Sequence, residues 1–198
     1  PEKMAQAAAE ASNRPLLKIK LGGAGDQERL RAIRAAAPVT RLIIDANEAW
    51  RPHDLDNHLA RCAETAVVLV EQPLPAGHDD ALAGRGKSGV LICADESAHG
   101  KDDLHKLAGK YTAINIKLDK TGGLTEALAL ADAAEDQGFE IMIGCMLATS
   151  LAMAPGHIVA QRARVVDLDG PLLLARDRDP GIRFDGSLMY PPPPALWG

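Results

Sequence analysis

The stretch Arg41–Glu71 reads RLIIDANEAWRPHDLDNHLARCAETAVVLVE, and it decides the fold. It opens on an apolar run ending in an acid, Arg41–Asp45, and closes on another, Val67–Glu71. Between them Leu55, Leu59 and Cys62 recur at helical spacing. Short runs that are apolar on both sides suit strands buried on both faces, and a helix between two such strands makes a parallel β–α–β unit. The same alternation continues in both directions. Strands are expected at Leu16–Lys20, Val90–Asp95, Thr112–Lys117, Glu140–Gly144 and Arg164–Leu168. Helices are expected at Gln27–Ala37 behind an Asp26 N-cap, at Gly122–Gln137 closed by Gly138, and at Ala148–Ala163, where Pro155-Gly156 should kink or split the helix.

Spacing separates a closed barrel from an open nucleotide-binding sheet. Gly22-Gly23-Ala24-Gly25 follows a strand but matches neither phosphate-loop pattern. The polar residues ending the strands are Lys20, Asp45, Glu71, Asp95, Lys117, Cys145 and Asp167, at successive gaps of 25, 26, 24, 22, 28 and 22 residues. So regular a pitch predicts an α/β fold of the (β/α)8, modified TIM-barrel type. Seven strands are expected here, so the first barrel strand would lie before Pro1. Residues 1–174 are read as a partial barrel domain. Residues 175–198, with Pro180, Gly181 and the run Pro191–Pro194, are read as a surface extension.

Composition narrows the function. The chain has 198 residues, 46% hydrophobic and 25% charged, which is enough apolar material for a real core. Its 22 basic and 27 acidic side chains leave a net charge of −5, and aromatics are 3%. Neither a basic surplus nor a stacking platform is there for nucleic acid, so no such partner is expected. No apolar run approaches the ~18 residues of a membrane span. Cys62, Cys93 and Cys145 are an odd, scattered set, which argues against a disulfide framework and suits the cytoplasm.

Chemistry is read from charges at strand ends. The C-terminal ends of parallel barrel strands form the active-site face, and residues i and i+2 of a strand share a side. Lys18 pairs with Lys20 in this sense, Asp45 with Asn47, Lys117 with Asp119, and Asp167 with Asp169. Asp45, Glu71 and Asp95 end three successive strands and bring three carboxylates to one rim. Their repulsion in a partly dry cavity is resolved by a hard divalent cation, one Mg²⁺ per subunit. Lys20 precedes the acids and Lys117 follows them, which suggests two bases for removing and delivering a proton. That both lysines merely neutralise the acids is the competing reading. Arg176-Asp177-Arg178-Asp179 is read as a solvated charge run, and Trp50 as a packing residue.

The run Lys18-Ile19-Lys20, the motifs Asp45-Ala46-Asn47, Glu71-Gln72-Pro73 and Ala94-Asp95-Glu96-Ser97, and the stretch Asn115–Gly123 together resemble the enolase superfamily in its muconate-lactonising subgroup. Asp167-Leu168-Asp169-Gly170-Pro171-Leu172 makes the likeness strongest to the dipeptide epimerases of the L-Ala-D/L-Glu type. The resemblance implies Mg²⁺-dependent epimerisation of a dipeptide through an enediolate, with Lys20 serving the (R) centre and Lys117 the (S) centre. It implies that Asp45, Glu71 and Asp95 hold the metal and that Lys18 contacts the substrate carboxylate. Asp167 and Asp169 would bind the α-ammonium, Cys145 and Leu147 would touch the dipeptide, and Asn47 and Asp119 would support the site. The same resemblance implies an N-terminal α+β capping domain, which is expected to lie outside residues 1–198. A muconate-type cycloisomerase, an N-acylamino acid racemase and a fragment that binds metal or protein without turnover are the alternatives. A homo-oligomer is among the expected assemblies.

Overall fold

The computed structural model describes residues 1–85 and 89–197. In chain order its elements are α1 (Glu2–Glu10), β1 (Leu16–Lys20), α2 (Asp26–Ala36), β2 (Arg41–Asp45), α3 (Leu55–Glu64), β3 (Val67–Glu71), β4 (Leu91–Ala94), α4 (Leu104–Leu107), β5 (Ala113–Ile116), α5 (Leu118–Thr121), α6 (Leu124–Asp136), β6 (Glu140–Ile143), α7 (Ser150–Ala160) and β7 (Val165–Val166). A two-strand hairpin, β8 (Phe184–Asp185) and β9 (Leu188–Met189), follows. The fold class is α/β, that of a partial (β/α) barrel. Among the described residues, no helix is long and apolar enough to cross a membrane.

Two compact units make up the chain. The first is Pro1–Ser97 with Leu107–Thr112, the second Ala98–Lys106 with Ala113–Gly198. In the first, β1 to β4 lie side by side in chain order, all parallel. Leu42, Ile43 and Ile44 of β2 are at most 1% exposed, as a strand covered on both faces requires. Register then sets the site: Lys20 lies beside Asp45, Asp45 beside Glu71, and Glu71 beside Cys93. In the second unit β5, β6 and β7 are parallel, with Ile116 beside Ile143 and Ile143 beside Val166. The N–H groups of Gly144 and Asp167 donate to the carbonyls of Ile116 and Ile143 at 3.0 and 2.9 Å. The ladder therefore runs one residue further and draws up the strand ends carrying Lys117, Gly144 and Asp167.

Four local expectations need correction. Asp26 is not the N-cap of α2: Gly25 takes that position in the left-handed region, and Asp26 is a buried first-turn residue. Its carboxylate accepts from Gly23 N–H, Arg29 and the buried indole of Trp50. The helix expected from Gly122 begins at Leu124, because Gly122 and Gly123, at φ 85° and 126°, separate α6 from the short α5. Helix α7 runs unbroken through Pro155, whose neighbours Met153, Ala154, Gly156 and Val159 are buried. Burial of these flanking residues outweighs the lost hydrogen bond. Finally, Asp177 is not merely solvated: its carboxylate accepts from the N–H and hydroxyl of Ser150 at the start of α7. Ser150 Oγ in turn accepts from Ile182 N–H at 2.9 Å, which ties the tail to the helix.

Arg34 knits the first unit behind the strands. From α2 its guanidinium donates to the carbonyls of Ala37, Pro38 and Thr40 after its own helix, at 2.9, 3.2 and 2.7 Å. It also reaches Thr65 and Ala66 before β3, at 2.8 and 3.4 Å. An Arg34→Met variant keeps the stem and strands these acceptors, so urea denaturation should show a loss of about 2–3 kcal/mol.

Candidate active site

In the first unit the charges meet where the register puts them. Lys20 Nζ donates to Asp45 Oδ2 at 2.6 Å and to Asn47 Oδ1 at 2.7 Å. Lys18 Nζ lies 3.2 Å from Asp45 Oδ2 and 2.9 Å from Glu71 Oε2. Both lysines of β1 therefore reach the same carboxylate, as residues two apart on a strand should. They differ in exposure: the Lys18 side chain is 21% exposed and that of Lys20 65%. Asp45, Glu71 and Asp95 are 2%, 0% and 4% exposed. Burial pushes the Glu71 carboxyl up to about 7, against the attraction of Lys18, and the charges of Asp45 and Asp95 add to the upward push. Among the described residues, no three His, Cys, Asp or Glu side chains stand together as a ready metal cage.

The loops after β2 and β3 are strained to present these groups. Asn47, Glu48 and Gln72 sit in the left-handed region at φ 42°, 65° and 36°, which costs a residue with a side chain about 1–3 kcal/mol. Asn47 N–H turns back to Asp45 Oδ1 at 3.0 Å, and its amide reaches Glu96 Oε1 at 3.4 Å. Glu96 was not singled out from sequence, although it lies in the quoted motif around Asp95. It is half-buried, and burial and the Asp95 charge raise its pKa.

The second unit carries the other half of the expected set. Lys117 directly follows β5 and is the N-cap of α5. The strand thus ends before Asp119, so the period-two argument for a shared face with Lys117 lapses. Asp119 is exposed and instead lines an open cavity of about 580 Å³ with Leu118, Leu124, Pro155 and Trp197. Asp167 is half-buried and Asp169 exposed at the turn leading into Gly170–Leu173. The obvious competing partners of these acids are engaged elsewhere: Arg162 bonds Asp132 and Glu135 at 2.7 and 2.5 Å, and Arg164 bonds Glu140 at 2.8 Å. The Cys145 thiol is pushed up by burial, with Asp167 and Asp169 adding to the rise while a Gly170 backbone hydrogen bond and Lys117 oppose it. Those charges therefore act on one thiol, which stays protonated and non-nucleophilic near neutrality. Leu147 is 66% exposed on the same loop.

A small residue was also missed. An added Cβ on Gly144 would lie 2.7 Å from Asn115 Oδ1 and 3.0 Å from Lys117 Cε. No sequence pattern marks this contact, because it arises across two strands.

Parallel β–α units with acids and amines at their strand ends define a barrel-type scaffold with a rim of acid/base groups. The chain belongs to the enolase C-terminal domain-like family, whose model matches residues 2–184. It is 46% identical over its whole length to an N-acetyl-D-glutamate racemase from Pseudoalteromonas sp, covering 62% of that protein. It is 46% identical over 93% of its length to the L-Ala-D/L-Glu epimerase of Escherichia coli (strain K12), covering 58% of it. A crystal structure of an enolase family member from Agrobacterium tumefaciens, with homology to dipeptide epimerases and with bound sodium and L-Ala-L-Glu, matches at TM-score 0.96 and 59% identity. That match covers 100% of this chain and 60% of the other. The chain thus spans about three-fifths of the length of these relatives.

The contact at Gly144 is testable without substrate. Asn115 is itself only 1% exposed. Gly144→Ala should lose about 1–3 kcal/mol by overpacking, read as a lower midpoint in chemical denaturation.

Proposed function

We propose that the chain is the catalytic barrel part of a cytoplasmic isomerase that epimerises an N-acylated glutamate-type centre, with an L-Ala-L-Glu-like dipeptide as the substrate. The observation that carries this is the row Lys20, Asp45, Glu71 at the ends of β1, β2 and β3, which sets a lysine amine beside the carboxylates of the neighbouring strands. The three relatives support the chemical class, because each is named for, or holds, a glutamate acylated at its nitrogen.

The acid set suits one Mg²⁺. Asp45, Glu71 and Asp95 offer hard oxygen donors and are buried, and burial, reinforced by the charges of Asp45 and Asp95, pushes the Glu71 carboxyl up to about 7. A cation bound by these three residues would supply charge stabilisation to the enediolate formed when an α-proton leaves. The remaining work falls to the chain's amines. Lys18, already shared between Asp45 and Glu71, takes the substrate carboxylate. Inversion at carbon needs one base to remove a proton and a second to return one, and Lys20 and Lys117 fill those roles. Asn47 and Asp45 hold the Lys20 ammonium through 2.7 and 2.6 Å contacts. Asp167 and Asp169 receive the α-ammonium of the dipeptide through charge-assisted hydrogen bonds, while Cys145 and Leu147 line the contact.

A second reading, N-acyl amino acid racemase, is favoured by the Pseudoalteromonas relative. The two substrates differ at the nitrogen end, where a dipeptide carries an ammonium and an acetyl group carries none. No feature of the described residues favours the cycloisomerase reading or a fragment without turnover.

Exchange of the α-proton in D₂O, followed by NMR with Mg²⁺ present, tests both. The full chain should exchange the glutamate α-proton of L-Ala-L-Glu. Lys20→Ala and Lys117→Ala should each lose exchange from one epimer by about 10²–10⁴-fold while sparing the other. Equal loss from both epimers would reject the two-base assignment. Asp167→Asn with Asp169→Asn should cut turnover of the dipeptide at least tenfold, mainly through KM, and leave N-acetylglutamate unchanged. Unaltered dipeptide turnover in that variant would move the assignment to the racemase.

A further inference from the structure

Behind the acids of β3 and β4 lies a buried polar chain that the proposed chemistry does not use. Gln72 directly follows Glu71, is fully buried, and holds the left-handed backbone noted above. Its side-chain oxygen accepts from the N–H groups of Asp95 at 2.9 Å and Ser97 at 3.1 Å. Its side-chain nitrogen has the Leu74 carbonyl, Ser97 Oγ and Tyr111 Oη at 2.8, 2.9 and 2.9 Å. Both hydroxyls donate onward to Asp79 Oδ2, from Tyr111 at 2.7 Å and from Ser97 at 2.9 Å. Lys110 donates to Asp79 Oδ1 at 2.6 Å. Asp79 is 2% exposed and Tyr111 4%.

The direction of every bond follows from Asp79. An ionised carboxylate accepts and cannot donate, so the hydroxyls of Tyr111 and Ser97 must point their hydrogens at it. They then present lone pairs to Gln72, which fixes its NH₂ on their side. Its oxygen is thereby left facing the Asp95 and Ser97 amides. A flipped amide would set donors against donors there, in a buried place where an unmade bond is costly. Burial works against the charge of Asp79, yet hydrogen bonds from Lys110, Tyr111 and Ser97 outweigh it and hold its carboxyl below the usual range.

We propose that Asp79 and Tyr111 are positioning residues for the cation-binding acids: by orienting the Gln72 amide they tie the backbone after Glu71 to the backbone at Asp95 and so set the placement of those two carboxylates. This rests on the reading of Glu71 and Asp95 as metal ligands given above. The residues lie at 72, 79, 97 and 111 in sequence, on loops after β3 and β4 and on the turn before β5, and no local motif joins them.

Tyr111→Phe removes the hydroxyl and keeps the ring; Asp79→Asn replaces the acceptor-only carboxylate with an amide that can also donate. Two measurements on the full chain decide the matter: hydrogen exchange of the Asp95 and Ser97 amides without metal, and calorimetric titration with Mn²⁺. Both variants should exchange those amides at least tenfold faster. Both should bind Mn²⁺ about 10–100-fold more weakly, the usual cost of losing a partner behind a ligand. Unchanged exchange overturns the proposal. Faster exchange with Mn²⁺ affinity within twofold of the parent also overturns it, since the brace would then serve stability alone. If Asp79→Asn does not fold, Tyr111→Phe decides by the same criteria. A parent chain that binds no Mn²⁺ sinks the metal reading itself and this proposal with it, and that failure shows in the parent rather than in the variants.

Discussion

Three carboxylates removed from water at adjacent strand ends are the constraint to which the first unit answers. Charges taken out of water are tolerated when opposite charge and hydrogen bonds meet them. Lys18 stands between Asp45 and Glu71, and Lys20 covers Asp45 from the same strand. Even so Glu71 is driven towards neutrality by burial and by its acid neighbours. A fold selected for stability alone has no reason to gather such a set, and replacing it with apolar side chains would be cheaper. The cost is understandable when, as in the proposed reading, the concentrated negative charge is itself the working part.

Parallel register turns this into a property of the sequence. Each β–α unit of the first half returns the chain to the same level, so Lys20 comes to lie beside Asp45 and Asp45 beside Glu71, while Glu71 meets Cys93, two residues before Asp95. That is why the strands, and the acids and lysines ending them, could be read from apolar runs and spacing. Arg41–Asp45, Val67–Glu71 and Leu16–Lys20 coincide with their expected bounds, and the shorter β7 lies inside its own. The residues that escaped reading act across the fold. Gly144 is shaped by Asn115 and Lys117 from the neighbouring strand, Asp177 acts on a helix 27 residues earlier, and Pro155 is tolerated because its helical neighbours are buried, which propensity does not register. Asn47 was found because it lies two residues beyond an acid, whereas Glu96, its partner, points away from any periodic rule.

The two units differ in how deeply they bury their charges. The first concentrates buried negative charge, held by two amines. The second surrounds Cys145 with the fields of Asp167, Asp169 and Lys117, but leaves its acids half-buried or exposed. Buried acids suit a permanent compact cation, while exposed acids suit a group that must arrive and leave. In the proposed reading the metal belongs with the first set and the α-ammonium with the second.

In the proposed reading this division also accounts for two relatives of this chain being named for different nitrogen substituents. Discrimination between an ammonium and an acetyl group is lopsided. An ammonium without carboxylates to meet it pays the full cost of leaving water, so a site lacking the acid pair rejects the dipeptide strongly. An acetyl group beside two solvated carboxylates forfeits little, because the acids can stay hydrated. Possessing the pair therefore widens acceptance towards dipeptides more than it narrows acceptance of the acylated amino acid. The reacting end, with its lysines and buried acids, can remain the same throughout.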